Sequence, residues 1–359
     1  MTQIKGKKVL VAMSGGVDSS VAALLLKEQG YDTAGVTMCL GVQDAEGDSP
    51  RCCGADAVND ARQVCERLGI QHYVIDFTNE MKEDVIARFV QEYRRGRTPN
   101  PCIDCNRYLK FGHLLALARS MDFDFLATGH YAKIDTNQGL RRLMKPKDRA
   151  KDQTYFLYPI RSEDLSAVLF PLADRTKQEV RSLAREAGLP VACKAESQDI
   201  CFVPRTGYRR FIRDLTGLWE PGPIVDVQGR ERGRHNGIYA YTVGQRSGLG
   251  ISAPAPLYVV SVDPENNRIV VGEKNDLLAW GLRAADVNLL AESWPQNADA
   301  KIRYRKKASA CRTSIEDSAL CIYFEEPQES NTPGQAVVLY RGEEVLGGGV
   351  IEQVIHEPH

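Results

Sequence analysis

The sequence predicts an α/β protein in three parts: a parallel-sheet N-terminal domain over 1–205, a small β-rich central domain over 206–275, and a C-terminal β-barrel over 276–359. Three observations predict it. Apolar β-branched runs alternate with helical patterns from Val9 to Thr128, glycines punctuate the chain after Gln198, and short β segments separated by Gly and Pro turns fill the stretch beyond Asp276. In order, Val9–Met13 reads as the first strand, Ser19–Gln29 as its helix and Thr33–Cys39 as the second strand. A long connection from Gly41 to Gly54 leads to a helix at Ala55–Leu68, closed by Gly69, and to a third strand at Gln71–Phe77. Met81–Tyr93 and Tyr108–Arg119 read as helices, and Phe125–Thr128 as a strand. A basic, poorly periodic connection spans Thr136–Lys151, with a short helical region at Ser162–Val168. Thr176-Lys177-Gln178-Glu179 is a capping box opening a helix that Gly188 and Pro190 end. Strands are expected at Ile238–Val243, Leu257–Asp263, Lys301–Tyr304, Ala319–Phe324, Ala336–Tyr340 and Gly348–Val354.

The densest chemical signal is Ser14-Gly15-Gly16-Val17-Asp18-Ser19-Ser20, at the junction of the first strand and first helix. Glycines let the backbone approach an anion closely, the helix N-terminus and loop N–H groups favour it, and the serine hydroxyls add donors. Asp18 would repel a phosphate unless a cation lies between them, and Mg²⁺ is the natural cation. The loop lacks the Lys-Ser/Thr ending of the P-loop, and its glycine spacing does not match the dinucleotide fingerprint. The bland alternative is a serine-rich helix cap. In an open parallel sheet, ligands sit beyond the carboxyl ends of the strands, so this loop, Met38 and the turn Thr128-Gly129-His130 should gather on one edge.

Hydrophobic residues at 43% and charged residues at 26% describe a globular chain, and no run approaches the roughly 20 apolar residues of a membrane span. The first residues enter a strand with no signal-type apolar segment, so a cytoplasmic location is expected. A formal net charge of −1 argues against a nonspecific nucleic-acid coat. Charge is nonetheless concentrated in three basic clusters. One comprises Arg88, Arg94, Arg95 and Arg97, another Arg141, Arg142, Lys145, Lys147, Arg149 and Lys151. The third holds Lys301, Arg303, Arg305, Lys306 and Lys307, with Tyr304 among them. Such patches suit a large polyanion bound on one face, or are simply solvated surface.

Ten cysteines in a chain of this type point to catalysis, metal binding or burial rather than to a disulfide scaffold. Asn100-Pro101-Cys102-Ile103-Asp104-Cys105-Asn106 sets two thiols three positions apart just before a predicted helix, where the helix N-terminus and nearby arginines favour the thiolate. Redox or catalytic chemistry, half of a metal site, and plain burial all remain open for this pair. Cys201, in Ser197-Gln198-Asp199-Ile200-Cys201-Phe202, could complete either of the first two. Cys52, Cys53 and Cys65 read as structural.

The seven-residue loop resembles that of the ATP pyrophosphatases (PP-loop enzymes), which implies cleavage of ATP between its alpha and beta phosphates and an adenine nucleotide alpha hydrolase-like fold for the N-terminal domain. Along nearly its whole length the chain resembles the tRNA-specific 2-thiouridylase family (MnmA). The motifs carrying this are Ser14–Ser20, Asn100–Asn106 with Lys110-Phe111, Ala127-Thr128-Gly129-His130-Tyr131-Ala132 and Lys151-Asp152-Gln153, followed by Ser197–Phe202, Gly244-Gln245-Arg246 and Pro333-Gly334-Gln335. The resemblance implies ATP-dependent replacement of oxygen by sulfur at C2 of the wobble uridine of tRNAs for lysine, glutamate and glutamine. It implies ATP contacts at Ala12, Met13, Ser14, Gly15, Gly16, Val17, Asp18, Ser19, Ser20, Met38 and Gly129, with Mg²⁺ at Asp18. Cys105 falls on the family's nucleophile and Cys201 on its persulfide carrier, with a Cys105–Cys201 disulfide during turnover. Asn100, Pro101 and Cys102 would neighbour the target base. His130, Lys151, Asp152, Gln153, Arg303, Tyr304 and Gln335 fall on tRNA-contacting positions. Some family members carry aspartate at the position of Cys102, so the cysteine here leaves open a third catalytic thiol or a [4Fe-4S] cluster on Cys102, Cys105 and Cys201. The implied partners are tRNA and a persulfide donor, either a sulfur-relay protein or a cysteine desulfurase, with no membrane.

Overall fold

The computed structural model describes residues 6–41, 55–137, 139–195, 200–203, 207–217 and 219–357. Cys52, Cys53 and residues 197–199 of the Cys201 motif lie outside them. The chain divides into two compact units. The first comprises Met1–Val85, Cys102–Phe202 and Glu343–Val345, and the second Ile86–Pro101, Val203–Gly342 and Leu346–His359.

The first unit is built on a five-stranded parallel sheet. β1 (Lys8–Ala12) leads through the glycine loop to α1 (Val17–Glu28), then β2 (Asp32–Cys39), α2 (Ala55–Leu68) and β3 (Gln71–Asp76). A turn of helix at Thr78–Glu80 and a π-helical segment at Met81–Ile86 precede α3 (Ala87–Arg94), which belongs to the second unit. α4 runs as Pro101–Asp104, a π-helical stretch at Cys105–Leu114, and Leu115–Ser120. β4 (Phe125–Thr128), the hairpin β5 (Lys133–Asn137) and β6 (Leu140–Met144), β7 (Val168–Leu169) and α5 (Lys177–Glu186) follow. The sheet order is β3-β2-β1-β4-β7, so the winding reverses between β1 and β4. That reversal opens a crevice at the carboxyl end of β1, where the glycine loop begins. Register is tight there: Ala12 pairs with Val36 on one side and with Thr128 on the other. Val9, Val11, Val21, Leu25, Val64, Cys65, Ala127, Val180 and Ala184 form one core around α1, which is buried on nearly all sides from Val17 to Leu26.

In the second unit, α6 (Tyr208–Thr216) precedes β8 (Gly222–Asp226), β9 (Glu231–His235), β10 (Tyr258–Asp263) and β11 (Arg268–Gly272). These strands form a sheet of order β10-β11-β8-β9 over a core of Ile224, Ile238, Val259, Ile269 and Val271. Tyr208 of α6 stacks on Tyr93 of α3 with ring centroids 5.6 Å apart. β12 (Leu278–Leu289), β13 (Asn297–Lys301), β14 (Ser309–Glu316), β15 (Ala319–Glu329), β16 (Ala336–Arg341) and β17 (Glu344–Ile355) run in the order β12-β15-β14-β13-β16-β17. Pairing of β12 with β17 closes them into a six-stranded antiparallel barrel, filled by Leu282, Ile302, Leu320, Ile322, Phe324, Val337, Leu339 and Ile351. Closure leaves no unpaired edge inside the barrel. No helix among the described residues is long and apolar enough to cross a membrane.

The structure corrects three local expectations. The Thr136–Lys151 connection contains most of the β5–β6 hairpin, whose charged β6 offers only Leu143 as a buried residue and so shows no readable alternation. Ile238–Ala240 is a 3₁₀ turn rather than a strand, because Gly237 and Gly244 flank it at φ of 141° and 86°. β13 ends at Lys301, which leaves Arg303 and Tyr304 in the turn beyond it.

The capping box on α5 forms as expected: Thr176 Oγ1 accepts from Glu179 N at 3.2 Å, and Thr176 N donates to Glu179 Oε2 at 2.5 Å. Hydrogen bonds from the Thr176 backbone and then from Lys147 hold the Glu179 carboxyl at about 2, below its ordinary 4.5. The stabilisation this carboxylate provides is therefore complete above about 4.5 and is lost as pH falls toward about 2. Thr176→Ala removes the cap and should lower unfolding free energy by about 1 kcal/mol, read as a shift in urea midpoint at neutral pH.

Candidate active site

The glycine loop is fixed by its own polar groups. Met13 N donates to Val36 O at 2.7 Å and Met13 O accepts from Thr37 Oγ1 at 3.0 Å, which pins the loop's entry to β2. Ser14 N donates to Ser19 Oγ at 3.2 Å, and Ser20 Oγ donates to Gly16 O at 2.8 Å. Gly15 sits at φ 67°, and a Cβ there would lie 2.4 Å from Ala57 O of α2. Gly129, in the turn after β4, packs against the start of α1 so closely that a Cβ would lie 2.6 Å from Ser19 N. Two glycines thus let α2 and the β4 turn close on the loop from opposite flanks. Ala12 ends β1, and Met38 stands half-buried near the end of β2 on the same edge of the sheet.

Asp18 is neutralised by residues that sequence reasoning did not single out. Lys177 Nζ donates to both of its carboxylate oxygens at 2.7 Å, and Tyr131 Oη donates to Oδ1 at 3.0 Å. Lys177 is the first residue of α5, so the capping box that shapes this helix start also sets the lysine's position. Gln153 holds Tyr131 in turn: its Oε1 accepts from Tyr131 N at 2.8 Å, and its own N–H donates to Tyr131 O at 3.1 Å. Lys194 Nζ binds Gly15 O at 2.9 Å and Asp60 Oδ2 at 2.5 Å, placing a second cation at the loop. The only sequence signal for these groups was the order of motifs along the chain, because Lys177 and Asp18 lie 159 residues apart.

Cys102 and Cys105 do not precede α4 but lie within it, on its first turn and at the start of its π-helical stretch. Cys102 is exposed and Cys105 half-buried, and among the described residues Cys39, Cys65, Cys102, Cys105, Cys193, Cys201, Cys311 and Cys321 are reduced thiols. The expected stabilisation of thiolates is outweighed: burial among protein atoms pushes both thiols up, Cys105 adds to the rise at Cys102, and the nearby charge of Lys110 only opposes it. Lys110 Nζ donates to Asn106 Oδ1 at 3.0 Å and approaches His130 Nε2 at 3.4 Å. A lysine ammonium can only donate, so His130 Nε2 accepts and Nδ1 carries the proton that it shares with Thr128 Oγ1 at 2.7 Å. Burial first, and Lys110 second, hold the His130 imidazole well below its ordinary range. Cys201 is exposed. No three His, Cys, Asp or Glu side chains come together to hold a metal ion among the described residues, so Cys102, Cys105 and Cys201 do not form a ligand set.

The remaining expected contact residues divide between the units. In the first, Lys151 is half-buried and Asp152 is buried, accepting from Thr154 N and Oγ1 at 2.9 and 2.6 Å. In the second, Arg303 donates to Val243 O at 3.0 Å and to Thr332 Oγ1 at 2.6 Å, and Lys301 Nζ stands 5.4 Å from the centre of the Tyr304 ring. Gln335 donates to Thr98 O at 2.8 Å and Pro99 O at 3.3 Å, and Asn100 and Pro101 follow directly. Several members of the basic clusters are already paired, including Arg97 with Glu352, Arg142 with Glu344, Lys147 with Glu179 and Arg149 with Glu343.

A parallel α/β unit with an acidic glycine loop at its switch point, flanked by two lysines and followed in sequence by a Cys-x-x-Cys helix, belongs to the class of α/β proteins whose loop geometry suits an anionic ligand. Family comparison gives the particular assignment. Residues 7–205 match the model described as tRNA methyl transferase HUP domain, 209–273 the tRNA methyl transferase PRC-barrel domain, and 280–351 the aminomethyltransferase beta-barrel domain. The chain is 59% identical over 350 residues to tRNA-specific 2-thiouridylase MnmA 1 of Syntrophus aciditrophicus, covering 98% of this chain and 94% of that protein. It is 48% identical to tRNA-specific 2-thiouridylase MnmA of Pelotomaculum thermopropionicum, over 96% of this chain and 97% of the relative. Its identity to the same-named protein of Carboxydothermus hydrogenoformans is also 48%, over 98% and 100% of the two chains. The chain belongs to the tRNA-specific 2-thiouridylase family.

The neutral His130 gives the folded state an acid-side sensitivity. Its ring takes up a proton less readily folded than unfolded, so its stabilising contribution is present above about pH 6.5 and is lost as pH falls below that value. Unfolding free energies from urea titrations between about pH 7 and 5 should fall more steeply for the native chain than for His130→Gln, by up to about 1.4 kcal/mol per pH unit.

Proposed function

We propose that this enzyme thiolates C2 of the wobble uridine in tRNAs for lysine, glutamate and glutamine, using ATP and a persulfide-borne sulfur in the cytoplasm. The observation that carries the reading is the acidic glycine loop with its paired lysines, in a chain that belongs to the 2-thiouridylase family. Residues 1–205 act as the ATP-pyrophosphatase domain, 206–275 as the central β-rich domain and 276–359 as the tRNA-contacting barrel.

A uracil carbonyl needs activation because its oxygen is a poor leaving group. The C2 oxygen attacks the alpha phosphorus of ATP, the alpha–beta bond breaks, and pyrophosphate leaves. Ala12 to Ser20, with Met38 and Gly129, line the nucleotide site, and the loop N–H groups face the phosphates. The carboxylate of Asp18 already attracts cationic and hydrogen-bonding partners from Lys177 and Tyr131, which fits it to hold Mg²⁺. Bound there, Mg²⁺ supplies charge stabilisation for the departing phosphates. Lys177, the ion-pair partner of Asp18, adds a cation at the loop.

Sulfur then enters at C2. Cys201 carries a persulfide delivered by a sulfur-relay protein or cysteine desulfurase, and its exposure suits loading by a protein donor. In one route the terminal sulfur bonds to C2 and AMP leaves. Cys105 thiolate then attacks the Cys201 sulfur, releasing 2-thiouridine and forming the Cys105–Cys201 disulfide. In the other, Cys105 attacks the persulfide first, and the hydrosulfide released displaces AMP. Each route oxidises two thiols, so a dithiol reductant must restore them before the next turnover. An iron–sulfur cluster is not part of this proposal, because the three cysteines do not form a ligand set.

Asn100, Pro101 and Cys102 border the base, which an anticodon loop can splay out at little cost. His130, Lys151, Asp152, Gln153, Arg303, Tyr304 and Gln335 contact the tRNA, with phosphate contacts giving a steep salt dependence.

Incubating the protein with unmodified tRNA, ATP, Mg²⁺, a persulfide donor and dithiol should yield 2-thiouridine with one AMP and one pyrophosphate per sulfur. Cys105→Ser and Cys201→Ser should each lower thiolation by about a hundredfold or more with persulfide as donor. Asp18→Asn should slow pyrophosphate release by about a hundredfold. Gly129→Ala should weaken ATP binding about tenfold by pushing the start of α1 off its seat, measured by calorimetry. Production of ADP, or sulfur transfer that needs no nucleotide, would refute the reading.

A further inference from the structure

Within the second unit, the segment that enters Asn100–Pro101 has an unusual backbone problem. Thr98-Pro99-Asn100-Pro101 contains two prolines, so half of its residues lack an N–H, and 97–100 form no regular secondary structure that would pair their polar groups. Three of those groups are satisfied by one tripeptide of the barrel, Pro333-Gly334-Gln335. Thr98 N donates to Pro333 O at 2.8 Å, while both donors of the Gln335 amide point at successive carbonyls, Thr98 O at 2.8 Å and Pro99 O at 3.3 Å. Gly334 makes the approach possible. It sits at φ 90°, and a Cβ on it would lie 2.9 Å from the N, C and O atoms of Thr98.

The tripeptide is itself anchored to β17: Gly334 N donates to Ile351 O, and Ile351 N donates to Gln335 O, both at 2.8 Å. The preceding residues are held as well. Arg97 N donates to Glu92 O at 2.9 Å, its guanidinium reaches Glu352 of β17 at 3.5 Å, and Gly96, at φ 69°, lies against Val262 O and Pro264.

We infer that Pro333-Gly334-Gln335 is a clamp that sets the backbone path into Asn100–Pro101, and that Gln335 is a positioning residue for the segment bordering the target base. The inference rests on the reading of Asn100 and Pro101 given above, and it assigns Gln335 work beyond contact with tRNA. With both amide hydrogens on chain carbonyls, only Oε1 is left to meet an RNA donor. The barrel thereby sets the backbone of Thr98–Pro99 ahead of Asn100 whether or not RNA is bound.

Two variants test it. Gln335→Met keeps the length of the side chain and removes both donors, and Gln335→Glu turns an acceptor toward two acceptors. In the protein without tRNA, hydrogen–deuterium exchange of the Thr98 amide should quicken about tenfold in Gln335→Met and further in Gln335→Glu. In thiolation assays the single-turnover rate at saturating tRNA should fall about tenfold for Gln335→Met, and more for Gln335→Glu. Thr98 exchange unchanged in both variants, or a loss confined to tRNA Kd, would overturn the clamp. If the native chain thiolates no tRNA, the reading of function fails while the exchange measurement still decides the clamp.

Discussion

A half-buried carboxylate in a glycine loop has to be paired, and much of the first unit is arranged around that requirement. Asp18 cannot face an incoming phosphate alone, nor can it stay half-buried without partners. Lys177 and Tyr131 meet the need from two directions, one at the N-terminal end of α5 and one just past β4. Their positions depend on further contacts: Gln153 grips the backbone of Tyr131, and the Thr176–Glu179 box shapes the first turn of α5. The strand order makes the convergence possible, since β4 beside β1 brings the Gly129–Tyr131 turn to the loop. A change at any of these points is felt as a change in the charge at the glycine loop.

Local structure around the loop was legible because its determinants are local. A β-branched run, a glycine pair and an apolar helix are contiguous in the chain, and the limits of α2 and the capping box of α5 follow from signals within a few residues of each end. The charge partners of Asp18 were not legible, because a lysine 159 residues away has no local mark that separates it from other surface lysines. The β5–β6 hairpin has no readable pattern for a related reason: with charged residues on β6 and one buried leucine, the strand carries no apolar alternation. Arg303 and Tyr304 read as a strand by alternation, yet β13 stops before them and Arg303 is spent on Val243 and Thr332.

Placement of the two motif thiols inside α4 changes what the helix does for them. A cysteine ahead of a helix gains from its unpaired N–H groups, and the sequence order suggested that benefit for both. Within α4 the crowding of protein atoms prevails and holds each sulfur toward the protonated form, with Lys110 as the opposing charge. The same lysine fixes the tautomer of His130, so one ammonium, secondary to burial, acts on the thiols and on the residue after Gly129 together.

The different exposures of Cys105 and Cys201 give the proposed reaction an asymmetry that sequence position alone does not. A sulfur arriving on another protein must be accepted by an atom that the carrier can reach, and Cys201 is exposed. Resolution of a persulfide or mixed disulfide happens inside the enzyme and needs no outside access, which suits the half-buried Cys105. Under the proposed reaction, the exposed Cys201 suits loading by the donor and the half-buried Cys105 suits resolution within the enzyme.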